Sequence, residues 1–393
     1  MSSPLSEATL QIIEATAPVV AQHVDQIVPA MYRRLLADKE IRALFNMSNQ
    51  EGQAPQHKAL ANALVAYATH IRTPNVLVGA VERIAQKHAG LQILPEHYPH
   101  VADALLAAIS EVLGEAATPK ILSAWGEAYW QLADILIGRE EDIYQGTAEA
   151  SGGWRGWRSF EIAEKRREAT DIVSFVLRPV DGGAVVRHLP GQYLSFQFPL
   201  ADGEELRRNY SISSAPNGQT YRITVKREPQ GRVSNWLHEL AEVGQRIEVA
   251  PPAGAFFLDP REKREVVLLS GGVGLTPMIS MLEAFGGKGL RMIHVHAAQD
   301  PERHAMTGTS GRLADATFAF YEDLGGREGE EGVLEGRIDP VWLTENTDIE
   351  QADYFICGPV GFMQAMVRGL KAANVPDSRI HHEFFGPAAE VLG

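Results

Sequence analysis

The hydrophobic period of this chain changes twice, which restricts it to three regions of different architecture. Residues 5 to about 145 repeat apolar side chains at helical spacing and are nearly free of Gly. Prolines 18, 29, 55, 74, 95 and 119 fall near the expected block edges, so this region reads as all-helical. From about 155 to 258 the runs SFEIAEK, IVSFVLRP, QYLSFQF, YRITVKRE and RIEVAPP alternate with period two between Gly and Pro turns, which predicts an antiparallel β-barrel. From 265 the continuous apolar runs EVVLLS, RMIHVHA, TFAFYE, DYFICG and IHHEFF alternate with helical or irregular segments, the pattern of a doubly wound parallel sheet. The expected organisation is an all-α domain over 1–146, a Gly-rich linker over 147–154, a β-barrel over 155–259 and an α/β domain over 260–393.

Composition narrows the function classes. A formal charge of −14 disfavours nonspecific association with nucleic acid or anionic membrane surfaces, which need clustered Lys and Arg. The start MSSPLSEATL lacks the charged and apolar regions of an export signal, and no apolar run approaches the ~18 residues of a membrane helix. A cytoplasmic protein without stable membrane association is expected. The single cysteine, Cys357, excludes a disulfide framework and cysteine-rich zinc or iron–sulfur sites.

In the α/β region, SGGVGLTP follows the first strand and opens a helix. Its Gly271, Gly272 and Gly274 let the backbone approach a ligand, and the helix N-terminus beginning around Val273, Leu275, Thr276 and Pro277 suits a phosphate. A tight turn is the alternative. CGPVGFM follows the fourth parallel strand at the ligand-binding edge, where small Cys357 and Gly358, with Pro359, leave room for a flat ring. FFGP ends the fifth strand on that edge, placing Phe385, Gly386 and Pro387 nearby. In the barrel, RRNYSISS sets Arg208 and Tyr210 on one strand face, with Asn209 and Ser211 between and after them. A cation there can meet a pyrophosphate and a ring can cover an isoalloxazine. Tyr193, Lys226 and the turn into a helix at Gly231, Val233 and Ser234 complete the candidate flavin set.

In the helical region, Val81, Ile84 and Leu91 stand seven, four and three residues from His88, so His88 faces inward. Periodicity alone favours a packed, hydrogen-bonded histidine over a metal ligand.

Taken in order, RNYS, GVGLTP and CGPVGFM resemble the ferredoxin–NADP reductase-like family, with a Greek-key FAD barrel followed by a nicotinamide domain. Tyr32, FNMSNQ with Phe45, Gln56, His88 and the long segment AWGEAYWQLADILIGREEDIY resemble a globin. A globin fused to such a reductase is similar to the flavohaemoglobin family over essentially the whole chain. That resemblance implies His88 as the proximal iron ligand of haem b, oriented by Tyr98 and Glu140, with Glu141 a rival for Glu140. It implies Tyr32 and Gln56 as distal hydrogen-bond donors, Leu60 crowding the iron, Phe45 against the haem, and Lys87 either at a propionate or solvated. The implied activity is nitric oxide dioxygenation: NADH or NADPH reduces FAD, electrons pass singly to the haem, and NO and O2 become nitrate. A monomer is expected. Arg303 can meet a 2′-phosphate, but Gln299 and Asp300 form no basic cluster, which leans the choice to NADH. The competing functions are an oxygen or NO carrier or sensor, and a flavin reductase of ferric or quinone acceptors. RHAMTGTSGRLADATFAF departs from the family by a shortened helix, and Phe384 stands where relatives often have cysteine.

Overall fold

The computed structural model describes residues 4–44, 63–199, 205–261 and 265–385. They fall into two compact units, the first built on residues 1–149 with a short stretch at 199–207, the second on most of the remainder.

The first unit is helical. Its main elements are α1 (Glu7–Gln22), α2 (Val24–Leu35), α3 (Lys39–Ala43), α4 (Val78–Leu91), α5 (Tyr98–Leu113) and α6 (Pro119–Glu149). Their core contains Ile13, Ile27, Met31, Ala85, Ile109 and Trp125. Pro74, Pro95 and Pro119 open helical turns, as their missing N–H permits. Pro18 and Pro29 instead lie inside α1 and α2, contrary to the expectation that they mark block edges. Packing of the helices' apolar faces outweighs one lost main-chain bond at each. Pro55 lies outside the described residues. Helix α6 runs three residues, Thr147 to Glu149, into the segment expected to be linker.

The second unit holds two six-stranded sheets. The first joins β1 (Arg158–Ala169), β2 (Ile172–Pro179), β3 (Tyr193–Pro199), β4 (Glu205–Ser211), β5 (Tyr221–Lys226) and β6 (Arg246–Val249) in the order β4-β3-β6-β1-β2-β5. An isolated antiparallel bridge from Ile212 to Ile223 links the two edges, so the sheet curls toward a barrel around Phe160, Phe175, Leu194 and Phe196. Helix α7 (Arg232–Glu239) follows β5.

The second sheet is parallel: β7 (Glu265–Gly271), β8 (Arg291–Ala298), β9 (Ala316–Tyr321), β10 (Val333–Glu335), β11 (Asp353–Cys357) and β12 (Ile380–Glu383), in the order β10-β9-β8-β7-β11-β12. Growth reverses between β7 and β11, so the switch point lies outside their carboxyl ends. Helices α8 (Leu275–Phe285), α9 (Thr307–Leu313), α10 (Pro340–Asn346) and α11 (Val360–Ala372) connect the strands. Strand β10 was not expected from the sequence, so Cys357 ends the fifth strand of this sheet along the chain rather than following the fourth. Helix α9 has seven residues, in keeping with the shortened segment. Strand β12 stops at Glu383, before Phe384 and Phe385.

Trp125 is 1% exposed and its indole Nε1 donates to Thr16 Oγ1 at 3.0 Å, tying α6 to α1. Trp125→Ala is expected to cost about 3–5 kcal/mol, read as a lowered thermal midpoint of the helical signal by circular dichroism.

Candidate functional site

Three helices converge on one carboxylate. Along α6 the stripe Leu136, Glu140 and Tyr144 is buried at i, i+4 spacing, so Glu140 occupies an apolar face at 2% exposure. Glu141, one residue on, is exposed. The Glu140 Oε1 accepts from His88 Nδ1 at 2.7 Å and from the Tyr98 hydroxyl at 2.6 Å. The phenol oxygen also lies 3.2 Å from His88 Nδ1. Burial, then the Glu140 charge, keeps the Tyr98 phenol protonated, so it is a donor here. The imidazole proton is accordingly fixed on Nδ1. Nε2 is left as the nitrogen with a free lone pair and has no hydrogen-bond partner among the described residues. Tyr129 donates to the Tyr98 carbonyl at 2.7 Å and Tyr144 to the Ile93 carbonyl at 2.6 Å, fixing the turns on either side.

Helix α4 carries His88 half-buried, while Ala85 and Ala89 are its fully buried neighbours. Val81 and Ile84 on the face the period suggested pack half-buried against the helical core, and Leu91 is half-buried. Tyr32, on α2, is 4% exposed, and burial raises its phenol pKa, keeping the O–H intact. Lys87 is half-buried. Phe45, Gln56 and Leu60 lie outside the described residues.

In the barrel, Arg208 and Tyr210 share a face of β4 and are both half-buried, and Tyr210 packs on Phe196 with centroids 5.8 Å apart. Asn209 is held by Ser195, whose hydroxyl donates to its Oδ1 at 2.8 Å. Ser211 and Tyr193 are buried at 7%. At the start of α7, Gly231 is the N-cap and Val233 is core at 2% exposure. The Ser234 hydroxyl is used locally, accepting from Glu228 N at 3.1 Å and donating to Gly231 O at 3.2 Å. Lys226 pairs with Glu228 at 3.3 Å.

The two glycine motifs of the parallel sheet meet backbone to backbone. A Cβ on Gly274 would lie 2.2 Å from the Cys357 carbonyl oxygen, and one on Gly358 would lie 3.0 Å from Gly271 N. Gly272 sits in the left-handed region at φ 52°. Leu275, Thr276 and Pro277 are buried helix–sheet packing, and Thr276 donates to the Val273 carbonyl at 3.0 Å. Val273 and Pro359 remain near the surface of the junction. Phe385 is 49% exposed; Gly386 and Pro387 lie outside the described residues. Glu383 was missed by sequence reasoning. It stands opposite Cys357 in the β11–β12 register, and its charge, after burial, helps keep the Cys357 thiol and the Tyr193 phenol protonated. An acid at the last position of an apolar strand was the available signal.

Comparison with known proteins places these features. A globin model matches residues 28–136, an oxidoreductase FAD-binding domain 159–258 and an oxidoreductase NAD-binding domain 268–368. The chain is 47% identical over 400 aligned positions to the flavohemoprotein of Xylella fastidiosa (strain Temecula1), covering all of both chains. The chain belongs to the flavohemoprotein family. It is 42% identical to the flavohemoprotein of Rhizobium meliloti, covering 98% of each. The crystal structure of the flavohemoglobin of Malassezia yamatoensis, with bound FAD and heme, matches with TM-score 0.85 at 28% identity, covering 98% of this chain and 100% of that one. The FAD/NAD-binding domain of the nitric oxide dioxygenase of Vibrio cholerae matches with TM-score 0.54 at 37% identity, covering 59% of this chain and 100% of that one. This flavohemoprotein is an NAD(P)H-dependent oxidoreductase.

The residues present fit the cofactors that such a family member uses. His88 Nε2 is an imidazole lone pair with no hydrogen-bond partner among the described residues, the Arg208–Tyr210 face offers a cation and a ring, and the Gly271–Gly274 turn lies at the carboxyl edge of the sheet. Gly274→Ala is expected to disrupt the junction with Cys357, because the clash is with backbone and not with a flexible side chain. NADH-driven flavin reduction should fall by about tenfold or more in stopped flow, with NADH affinity weakened.

Proposed function

We propose that this chain is a nitric oxide dioxygenase, which converts NO and O2 to nitrate with electrons from NADH. Two NO and two O2 with one NADH give two nitrate, NAD+ and one proton. The carrying observation is the Glu140 carboxylate that accepts from His88 Nδ1 at 2.7 Å. When bound, haem supplies the iron at which oxygen chemistry occurs, and FAD supplies the exchange between hydride and single electrons.

In this reading His88 Nε2 holds the iron, and Glu140 gives the imidazole anionic character that strengthens its donation, as suits reductive oxygen chemistry more than reversible carriage. Tyr98 donates to the same Glu140 oxygen and so holds the carboxylate against the imidazole. Tyr32 presents an un-ionised O–H from a dry helix face, where a donor is worth most to developing negative charge. Family likeness assigns Gln56, Leu60 and Phe45 to the distal side, and Lys87 to solvent or to a propionate. Arg208 and Tyr210, with Asn209, Ser211, Lys226 and the start of α7, hold FAD. The Gly271–Gly274 turn and Cys357–Pro359 admit the nicotinamide, and family likeness adds Phe385, Gly386 and Pro387. Asp300 supports NADH over NADPH: it ion-pairs with Arg303, the cation that could meet a 2′-phosphate, and a carboxylate after the second strand suits a ribose 2′-hydroxyl. Among the described residues no helix is long and apolar enough to cross a membrane. We infer a cytoplasmic monomer.

The test is NADH-dependent NO consumption with nitrate as the measured product. Tyr32→Phe should lower its rate by roughly 10²-fold while NADH–ferricyanide reduction stays within about twofold. His88→Ala should abolish NO consumption and spare the ferricyanide reaction. NO binding without steady NADH oxidation would identify a carrier instead.

A further inference from the structure

Three histidines of the nicotinamide domain take no part in the sites above. His294 and His296 lie on the same face of β8 by its two-residue period and are 2% and 0% exposed. Ser270 on β7 bridges them, its hydroxyl 2.9 Å from His294 Nε2 and 2.8 Å from His296 Nδ1. Ser310 on α9 meets His294 Nδ1 at 3.0 Å. His304 arrives from the β8–α9 connection. Its ring stacks on His296 with centroids 4.0 Å apart and planes at 29°, and its Nδ1 meets the Tyr321 hydroxyl of β9 at 2.7 Å. The Nε2 atoms of both stacked rings are buried without a partner.

This arrangement disfavours charged rings. Every hydrogen-bond partner is a hydroxyl, and no described carboxylate bonds to any of the three. The facing elements supply Ser270 from β7, Ser310 from α9 and Tyr321 from β9. The charged groups nearby are Arg327, paired with Glu330 at 2.7 Å on the β9–β10 connection, and the Asp300–Arg303 pair on the histidine's own connection. Arg327 and His294 both disfavour a cation on His304. Burial, then those charges, holds His304 down to about 3, and burial holds His294 down to about 4. His296 is pushed well below the ordinary value by burial and its two neighbours.

The connection that His304 fastens leaves the carboxyl end of β8, where open α/β sheets receive the ribose of the adenosine half of a dinucleotide. We propose that the His296–His304 stack is a proton-sensitive latch that positions residues 299–306 to receive the adenosine end of NADH. His304 is thus a positioning residue: it touches no reacting atom and acts through the loop. With a folded value near 3 and an ordinary open-state value near 6.5, the latch is fully stable above about pH 6.5 and weakens as pH falls below it.

The test uses the full-length holoprotein. Deuterium exchange of residues 299–306, corrected for intrinsic rates, should show the opening equilibrium rising about tenfold between pH 7.5 and 5.5. His304→Phe keeps a ring in the stack but cannot be protonated, so the rise in opening over that range should be clearly reduced. His304→Ala should raise the NADH concentration for half-maximal flavin reduction several-fold, with the limiting rate within about twofold. Exchange that is independent of pH in the wild type, or the same pH dependence in His304→Phe, overturns the proposal. So does a His304→Ala variant that loses limiting rate at unchanged half-saturation. Should that variant fail to retain FAD, the exchange of wild type and His304→Phe decides.

Discussion

A carboxylate buried on the apolar stripe of α6 is the constraint on which the first unit depends. Taking Glu140 out of water is costly, and the cost is met only while His88 and Tyr98 both donate to it. That requirement fixes three things together. It sets the rotation of α6, the start of α5 at Tyr98, and the tautomer of an imidazole on α4. The last consequence carries the chemistry, since a ring whose proton is held at Nδ1 presents a basic Nε2 and nothing else.

The second unit is organised by close backbone approach instead of charge. Gly274 and Gly358 bring the turn after β7 against the end of β11, so the switch point of the parallel sheet is framed by main chain. Side chains named as contacts from the sequence, such as Leu275 and Pro277, pack the frame and do not line it. Ser234 is similar: its hydroxyl closes the turn into α7. In the proposed reading, ligand recognition at both places falls to backbone N–H groups and to a few side chains, Arg208 and Tyr210 among them.

Strand and helix types were legible because their periods differ, and IVSFVLRP coincides with β2 to the residue. Strand β10 escaped because three residues beside a charged Gly-rich loop carry no measurable period. Pro18 and Pro29 misled because tertiary packing overrides a local breaker. Glu140, 52 residues from His88, came from family likeness, although its place on the buried stripe of α6 was a readable sign that separates it from Glu141. The histidine latch was not legible at all, since its members come from a strand and a connection and its partners from three further elements. The distal Gln56, with Phe45 and Leu60, lies outside the described residues, so those roles rest on likeness alone.

The central claim is that Glu140 delivers charge to the iron through His88. The most direct measurement is the iron–histidine stretching frequency of the ferrous, five-coordinate protein by resonance Raman, compared between wild type and Glu140→Gln. The account predicts a lower frequency in the variant, because a neutral amide withdraws the anionic character from the imidazole while keeping its shape. An unchanged frequency, in a variant that retains full haem, would contradict it.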